Sequence, residues 1–308
     1  MELNKKQLEI KYKVKKLMAI RYDAYYIYSK LLAMRNTKIK YKVIKSIQKK
    51  YYGQMLSGVH SGKIGDLIYA LPTIKKLKIK HIKINISNFL HSSYLNMSEV
   101  NNLVPLLLEQ NYIKKISIIN TNLLSLENLN NSQIDVNYIL DKYTRSHNFL
   151  TEHIIKSHAE VFNIRIDLKS KWLSVGKIKF NQKYKEDYIL INFTDRYRSK
   201  KQEFWEDLLK DSPIDIIGIG LPHEFKNMNR ITDKLITCKN FLEMAYLIKN
   251  SKLFIGNQSS AFAIAEGLKV NRILEQSKDV PNVYPLSENG LIINDLGKEE
   301  FRKIIKNI

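Results

Sequence analysis

From residue 54 onward the sequence alternates short apolar runs with longer segments of helical period, and this alternation confines the chain to an α/β architecture. Strand candidates fall at 54–59, 81–87, 113–120, 188–193, 214–220, 234–238, 252–257 and 271–275. Helical patterns fill 66–77, 100–111, 150–164, 202–210, 240–251, 260–268 and 297–307. Strands that alternate with helices read as βαβ units and a parallel sheet. Residues 121–148 are rich in Asn and Ser and read as a long loop with one short helix. The polar stretch 179–187 reads as a linker, so the simplest plan is two Rossmann-like halves around a hinge near residue 180. Ligands of such sheets sit beyond the carboxyl ends of the strands.

The first 52 residues follow another rule. They contain no glycine and no proline, and Ile10, Val14, Leu17, Arg21, Tyr25, Tyr28 and Leu32 recur at helical spacing. One or two amphipathic helices are expected there. Eight tyrosines are interleaved with lysines up to Tyr52, and Gly53 ends the pattern. The formal charge of the chain is +21, of which residues 1–50 hold +12 and the other 258 residues +9. Three readings of this extension are open. It can dock on an anionic membrane through lysines and interfacial tyrosines. It can contact nucleic acid, with lysines on phosphates and aromatics on bases. It can also be a helical cap on the first domain with a solvated lysine face.

Other totals narrow the class. Hydrophobic residues make up 44% of the 308, enough for a packed core. One cysteine, Cys238, excludes an internal disulfide framework and any CxxC metal signature. No apolar run approaches the ~18–20 residues that span a bilayer. The basic start is not followed by an apolar core and a small-residue cleavage site, so no secretory leader is read. The expectation is a soluble, cytoplasmic protein, peripheral at the inner membrane surface.

Three local patterns carry chemistry. In Ser61-Gly62-Lys63-Ile64-Gly65-Asp66, two glycines and an aspartate stand between a strand and a helix. Glycine allows close backbone approach, and a helix start offers unpaired N–H groups. A carboxylate there is favoured by the helix dipole and can take a proton from an attacking hydroxyl; as a plain cap it would stabilise the helix by ~1 kcal/mol. In Gly256-Asn257-Gln258-Ser259-Ser260, a buried strand runs into a small-residue helix, which presents N–H groups and hydroxyls to an anion such as a diphosphate. The alternative is an ordinary turn capped by Ser259. In the loop after the first strand of the second half, Arg196, Arg198, Lys200 and Lys201 crowd together, and arginine forks match phosphate oxygens. The alternative is a solvated basic loop.

The three patterns, in this order, resemble glycosyltransferase family 9, the ADP-heptose:lipopolysaccharide heptosyltransferases, which have the GT-B fold. The family's Gly-Asp turn that ends in proline corresponds to Gly65-Asp66-Leu67-Ile68-Tyr69-Ala70-Leu71-Pro72. Its late G-N-D-S-G-x-x-H motif corresponds to Gly256-Asn257-Gln258-Ser259-Ser260-Ala261-Phe262-Ala263. Its basic, Trp-containing segment is similar to the stretch from Arg196 to Trp205. The resemblance spans roughly residues 54–308. It implies a GT-B protein with an acceptor domain at 53–180 and a donor domain at 181–308, preceded by the basic extension 1–52. It also implies a metal-independent, inverting glycosyltransferase with a nucleotide-sugar donor and an envelope-glycan acceptor, and no other cofactor. Asp66 would be the general base, near an acceptor turn of Ser61, Gly62 and Gly65. Lys201 with Arg198 would stabilise the leaving diphosphate, and Gly256–Ser260 would cradle the donor. The chain contains no Asp-x-Asp, the usual metal–diphosphate signature of the other large glycosyltransferase fold.

The departures are Gln258, Ser260 and Ala263, where the motif has aspartate, glycine and histidine. They speak against heptose as the sugar. Glu266 and Glu275 are candidates for ribose or sugar hydroxyls, nine residues apart. Two rival functions stay open: glycosylation of a hydroxymethylated base in phage-type DNA, and a GT-B-like module that binds a nucleotide or polyanion without catalysis.

Overall fold

A computed structural model describes residues 55–86, 95–120, 136–178 and 187–308. The helices read over 1–52 lie outside them, as does the linker read over 179–187 up to residue 186. The front half holds β1 (Ser57–His60), α1 (Ile64–Lys76), β2 (His81–Asn85), α2 (Met97–Leu108), β3 (Lys115–Ile119), β4 (Tyr138–Ile139) and α3 (Ile154–Phe162). The rear half holds β5 (Tyr188–Asn192), α4 (Gln202–Leu209), β6 (Asp215–Ile219), β7 (Leu235–Ile236), α5 (Phe241–Asn250), β8 (Leu253–Asn257), α6 (Ser260–Leu268), β9 (Arg272–Glu275), β10 (Gly290–Ile292) and α7 (Lys298–Lys306).

Both sheets are parallel. The front sheet has the order β3-β2-β1-β4 and the rear sheet β10-β9-β8-β5-β6-β7. Renumbered within its half, the rear sheet is the doubly wound order 3-2-1-4-5-6. Its strand order reverses between β5 and β8, where Asn192 stands opposite Gly256. The front sheet reverses between β1 and β4, where Gly58 stands opposite Tyr138. Each reversal opens a crevice at the strand ends, because the crossovers leave it on opposite faces.

The central rear strands β5 and β8 are buried at every residue, as their near-continuous apolar runs require. Ile189, Ile191, Ile255 and Ile273 face a core closed by Trp205 of α4 and Phe301 of α7. Leu190, Phe254 and Leu274 face the other way, into a core that continues into the front half through Leu67, Leu71 and Leu103. Helix α1 packs on α6, and α2 packs on α5. Small side chains make the approach to α6 close, and Ala261 to Leu268 are buried along its length. The chain returns to α6 at Trp172 and Leu173, whose N–H groups both donate to the Gly267 carbonyl at 3.1 Å. A Cβ at Gly267 would stand 2.8 Å from the Trp172 ring nitrogen, so glycine makes room for this crossing.

Two elements depart from the sequence reading. Of the loop with one short helix read over 121–148, residues 121–135 lie outside the described residues; the rest holds the short helix, a 3-10 turn at Leu140–Arg145, but also β4, which was not read. A two-residue strand is too short to show a period. β10 was likewise not expected, and Gly290 carries no strand signal of its own.

Gly256 lies inside β8, where a Cβ would meet the Asn192 carbonyl oxygen at 2.8 Å. Backbone cannot yield as a side-chain tip can. Gly256→Ala is therefore expected to lower the unfolding free energy by ~1–3 kcal/mol, read by chemical denaturation. Gly65→Ala, whose Cβ meets nothing within 4 Å, is the control expected to be neutral or slightly stabilising.

Candidate functional site

The strand ends of the two halves border one cavity of about 710 Å³. The front half contributes Lys63, Gly65, Asp66, Tyr69 and Tyr143, and the rear half contributes Asn192, Thr194, Arg196, Tyr197 and the 258–261 turn.

Helix α1 starts at Ile64, so Asp66 sits in its first turn and is not its cap; Lys63 holds the cap position, and its side chain does not cap the helix but reaches Glu99 at 3.5 Å. The turn before it is set by buried polar groups. The Ser61 N–H donates to both carboxyl oxygens of buried Asp141, at 3.2 and 3.1 Å. The Gly62 N–H donates to Nδ1 of His60 at 3.0 Å. A Cβ on Gly62 would lie 2.7 Å from the His60 ring and 3.2 Å from the Asp66 carboxyl oxygen, so this glycine brings the turn against the aspartate. Gly65 has open space above it and lines the cavity. Tyr69 and Tyr143 flank the site as neutral phenols. Burial pushes both well up, and the Asp66 charge adds to the shift. Burial also pushes the Cys238 thiol to about 12, so the one cysteine, which lines the cavity, stays protonated.

In the rear half the two strands at the switch point both end in asparagine. Asn192 donates to the Ile219 carbonyl at 2.8 Å and accepts from Ser259 Oγ at 3.0 Å. Asn257 accepts from the Thr194 N–H at 3.0 Å and donates to the carbonyl of Arg196, so it ties the turn after β8 to the loop after β5. Ser259 caps α6, accepting from the Phe262 N–H at 3.3 Å. The N–H groups of Ser260 and Ala261 open the helix with no acceptor in its own turn. Gln258 serves another purpose. Its Nε2 donates to the carbonyls of Val280 and Val283, and its Oε1 accepts from the Ser277 N–H, so the amide holds the 277–283 loop that forms one wall.

The cationic groups divide. Arg196 lines the cavity. The Arg198 guanidinium instead lies 3.2 Å from both oxygens of Glu275, and Lys201 occupies the exposed cap position of α4; neither borders the cavity. Glu275, fully buried at the end of β9, also accepts from the N–H groups of Ser199 and Lys200 and from Trp205 Nε1 at 2.8 Å. Glu266 is neither a solvent residue nor a cavity residue. It is fully buried and pairs with Lys269 Nζ and Arg272 Nη2, each at 2.5 Å. A buried carboxylate needs such partners, and these were out of reach of sequence reasoning. Gly256 and Asn257 support the turn from beneath, while Gln258, Ser259 and Ser260 reach the cavity. Asn192, Thr194 and Tyr197 were not singled out in the sequence. Asparagine closing an otherwise apolar strand was the available signal.

Among the described residues no cluster of three or more His, Cys, Asp or Glu is placed to hold a metal ion, and no helix is long and apolar enough to cross a membrane. No protein-family model and no curated protein matches the chain by sequence. Solved structures share its fold. E. coli heptosyltransferase WaaC with ADP-2-deoxy-2-fluoro heptose matches at a TM-score of 0.51 and 10% identity, over 82% of this chain and 99% of that one. E. coli ADP-heptose lps heptosyltransferase II matches at 0.55 and 10%, over 82% and 98%. A family 9 glycosyl transferase from Veillonella parvula matches at 0.51 and 11%, over 82% and 89%. The α/β fold expected from the sequence is thus that of GT-B heptosyltransferases.

Two buried histidines behind the front crevice make stability depend on pH. His158 is stacked 4.5 Å from Tyr143, and His153 caps α3. Burial lowers each from the ordinary 6.5 to about 3. Above pH 6.5 neither is charged, folded or unfolded. Below it, only the unfolded chain takes up the protons, so stability falls by up to ~1.4 kcal/mol per pH unit per histidine as pH drops toward 3. His158→Phe, which keeps a ring in the stack, is expected to remove about half of that slope in denaturation curves between pH 6 and 4.

Proposed function

We propose that this protein is a glycosyltransferase that moves a sugar from a nucleotide-sugar donor to a hydroxyl acceptor, with inversion. One observation carries this reading: a carboxylate of the front switch point and a helix start of the rear switch point border the same cavity. Asp66 would remove the proton of the acceptor hydroxyl as its oxygen forms the bond to the anomeric carbon. The bond from that carbon to the diphosphate oxygen breaks, and the nucleoside diphosphate leaves. Its growing charge would be met by Arg196 and the open N–H groups of α6, fixed dipoles that need no rearrangement. Apolar Leu221, Phe241 and Met244 beside Glu224 would receive the nucleoside. On this reading the division near residue 180 separates acceptor from donor, no metal takes part, and the rate is unchanged by EDTA.

The acceptor is proposed to be a cell-envelope glycan, reached at an anionic membrane surface. Residues 67–98 contain five lysines and no acidic residue, and Lys75, Lys76, Lys78, Lys80, Lys114 and Lys115 are exposed. Lys114 and Lys115 sit beside Lys80, whose carbonyl accepts both their N–H groups. A field of lysines without arginine forks suits lipid headgroups as point charges. The basic extension 1–52 would add to it.

Asp66→Asn is expected to reduce sugar transfer by ~10²–10⁴-fold, the usual range for a general base, while nucleotide-sugar binding persists in calorimetry. Unchanged turnover would exclude Asp66 as the base, and no transfer by the wild type to any acceptor would favour a binding module. Neutralising Lys78, Lys80, Lys114 and Lys115 together is expected to weaken binding to phosphatidylserine vesicles, at ~1 kcal/mol per lysine. Tight, salt-sensitive binding to duplex DNA but not to vesicles would support the DNA-modifying reading.

A further inference from the structure

Resting on the glycosyltransferase reading, we infer that Tyr197 is the platform on which the sugar ring of the donor lies. Its backbone is in the left-handed region at φ 57°, a strained conformation that a bulky residue rarely adopts. The strain is imposed from both sides. On one, Asn257 grips the loop at Thr194 and Arg196. On the other, Glu275 grips the N–H groups of Ser199 and Lys200 at 2.5 and 2.7 Å and the Arg198 side chain. Tyr197 is the single turn left between two buried anchors.

Burial does not explain this conformation. Tyr197 borders the cavity and is 39% exposed. The anchors hold the strained residue in place, and strain held in this way is characteristic of ligand sites. The Arg196 guanidinium stands 5.5 Å from its ring centroid. The ring therefore lies beside the cation assigned to the diphosphate, in the cavity that also holds Asp66. A sugar linked to that diphosphate and facing that carboxylate passes this ring, and the C–H face of a pyranose is an apolar surface that an aromatic ring covers well. Asn257 and Glu275 are positioning residues in this scheme.

The test compares free ADP, UDP and GDP with their sugar conjugates, by calorimetry, on the full chain. Tyr197→Phe is expected to bind both classes as the wild type does. Tyr197→Ala is expected to lose about tenfold or more in affinity for the sugar nucleotide and none for the free diphosphate. Tyr197→Gly is expected to show the same selective loss with an equal or higher melting temperature, because glycine adopts this φ without strain. A structural residue would not combine loss of ligand with gain of stability. Unchanged sugar-nucleotide affinity in Tyr197→Ala, or an equal loss for the free diphosphate, would overturn the inference alone. Failure of the wild type to bind any of these ligands would overturn the glycosyltransferase reading and the inference with it.

Discussion

The contact between α1 and α6 is the constraint on which the rest of the molecule depends. Each helix starts at the crevice of its own sheet, and each carries at its start the groups assigned to chemistry. Asp66 stands in the first turn of one, and Ser259 caps the other. Their common packing makes two separate crevices into one cavity. The small residues of α6, buried along its length, let its neighbours come close. A larger side chain on the α6 face toward α1 would push Asp66 and the 258–261 turn apart.

The main elements could be read from the sequence because burial leaves a period. Strands such as Tyr188–Asn192 are buried at every residue and apolar up to the closing asparagine, and α7 shows Phe301 and Ile305 one turn apart on its buried side. The parallel arrangement follows from the alternation alone. Short pieces could not be read. β4 has two residues, and its pairing with β1 depends on a chain segment 80 residues downstream.

The site was legible as positions but not as partners. Turns after β1, β5 and β8 could be located, and the residues in them named. Whether a given cation faces a ligand or a buried carboxylate is decided by contacts far off in sequence. Arg198 and Glu275 are 77 residues apart, and nothing local to either announces the pair. Glu266 shows the same limit at shorter range. It sits on a helix of small residues, where an acidic side chain reads as exposed or as functional, yet it is neutralised by Lys269 and Arg272 in the interior. Gln258 fills a motif position reserved for an acid, and its amide matches backbone groups that a carboxylate could meet only in part.

The crossing of Trp172 and Leu173 over Gly267 has a mechanical consequence. The front half does not merely lead into the rear half; its last described strip is sewn onto the helix that opens the rear crevice. Any swing of one sheet away from the other would tear this seam and wet the apolar surface shared by α1 and α6, at roughly 25 cal/mol for each square ångström uncovered. On the glycosyltransferase reading, donor and product would pass at the rim, where the 194–201 loop is held by Asn257 and Glu275 and the 277–283 loop by Gln258 and Gln276.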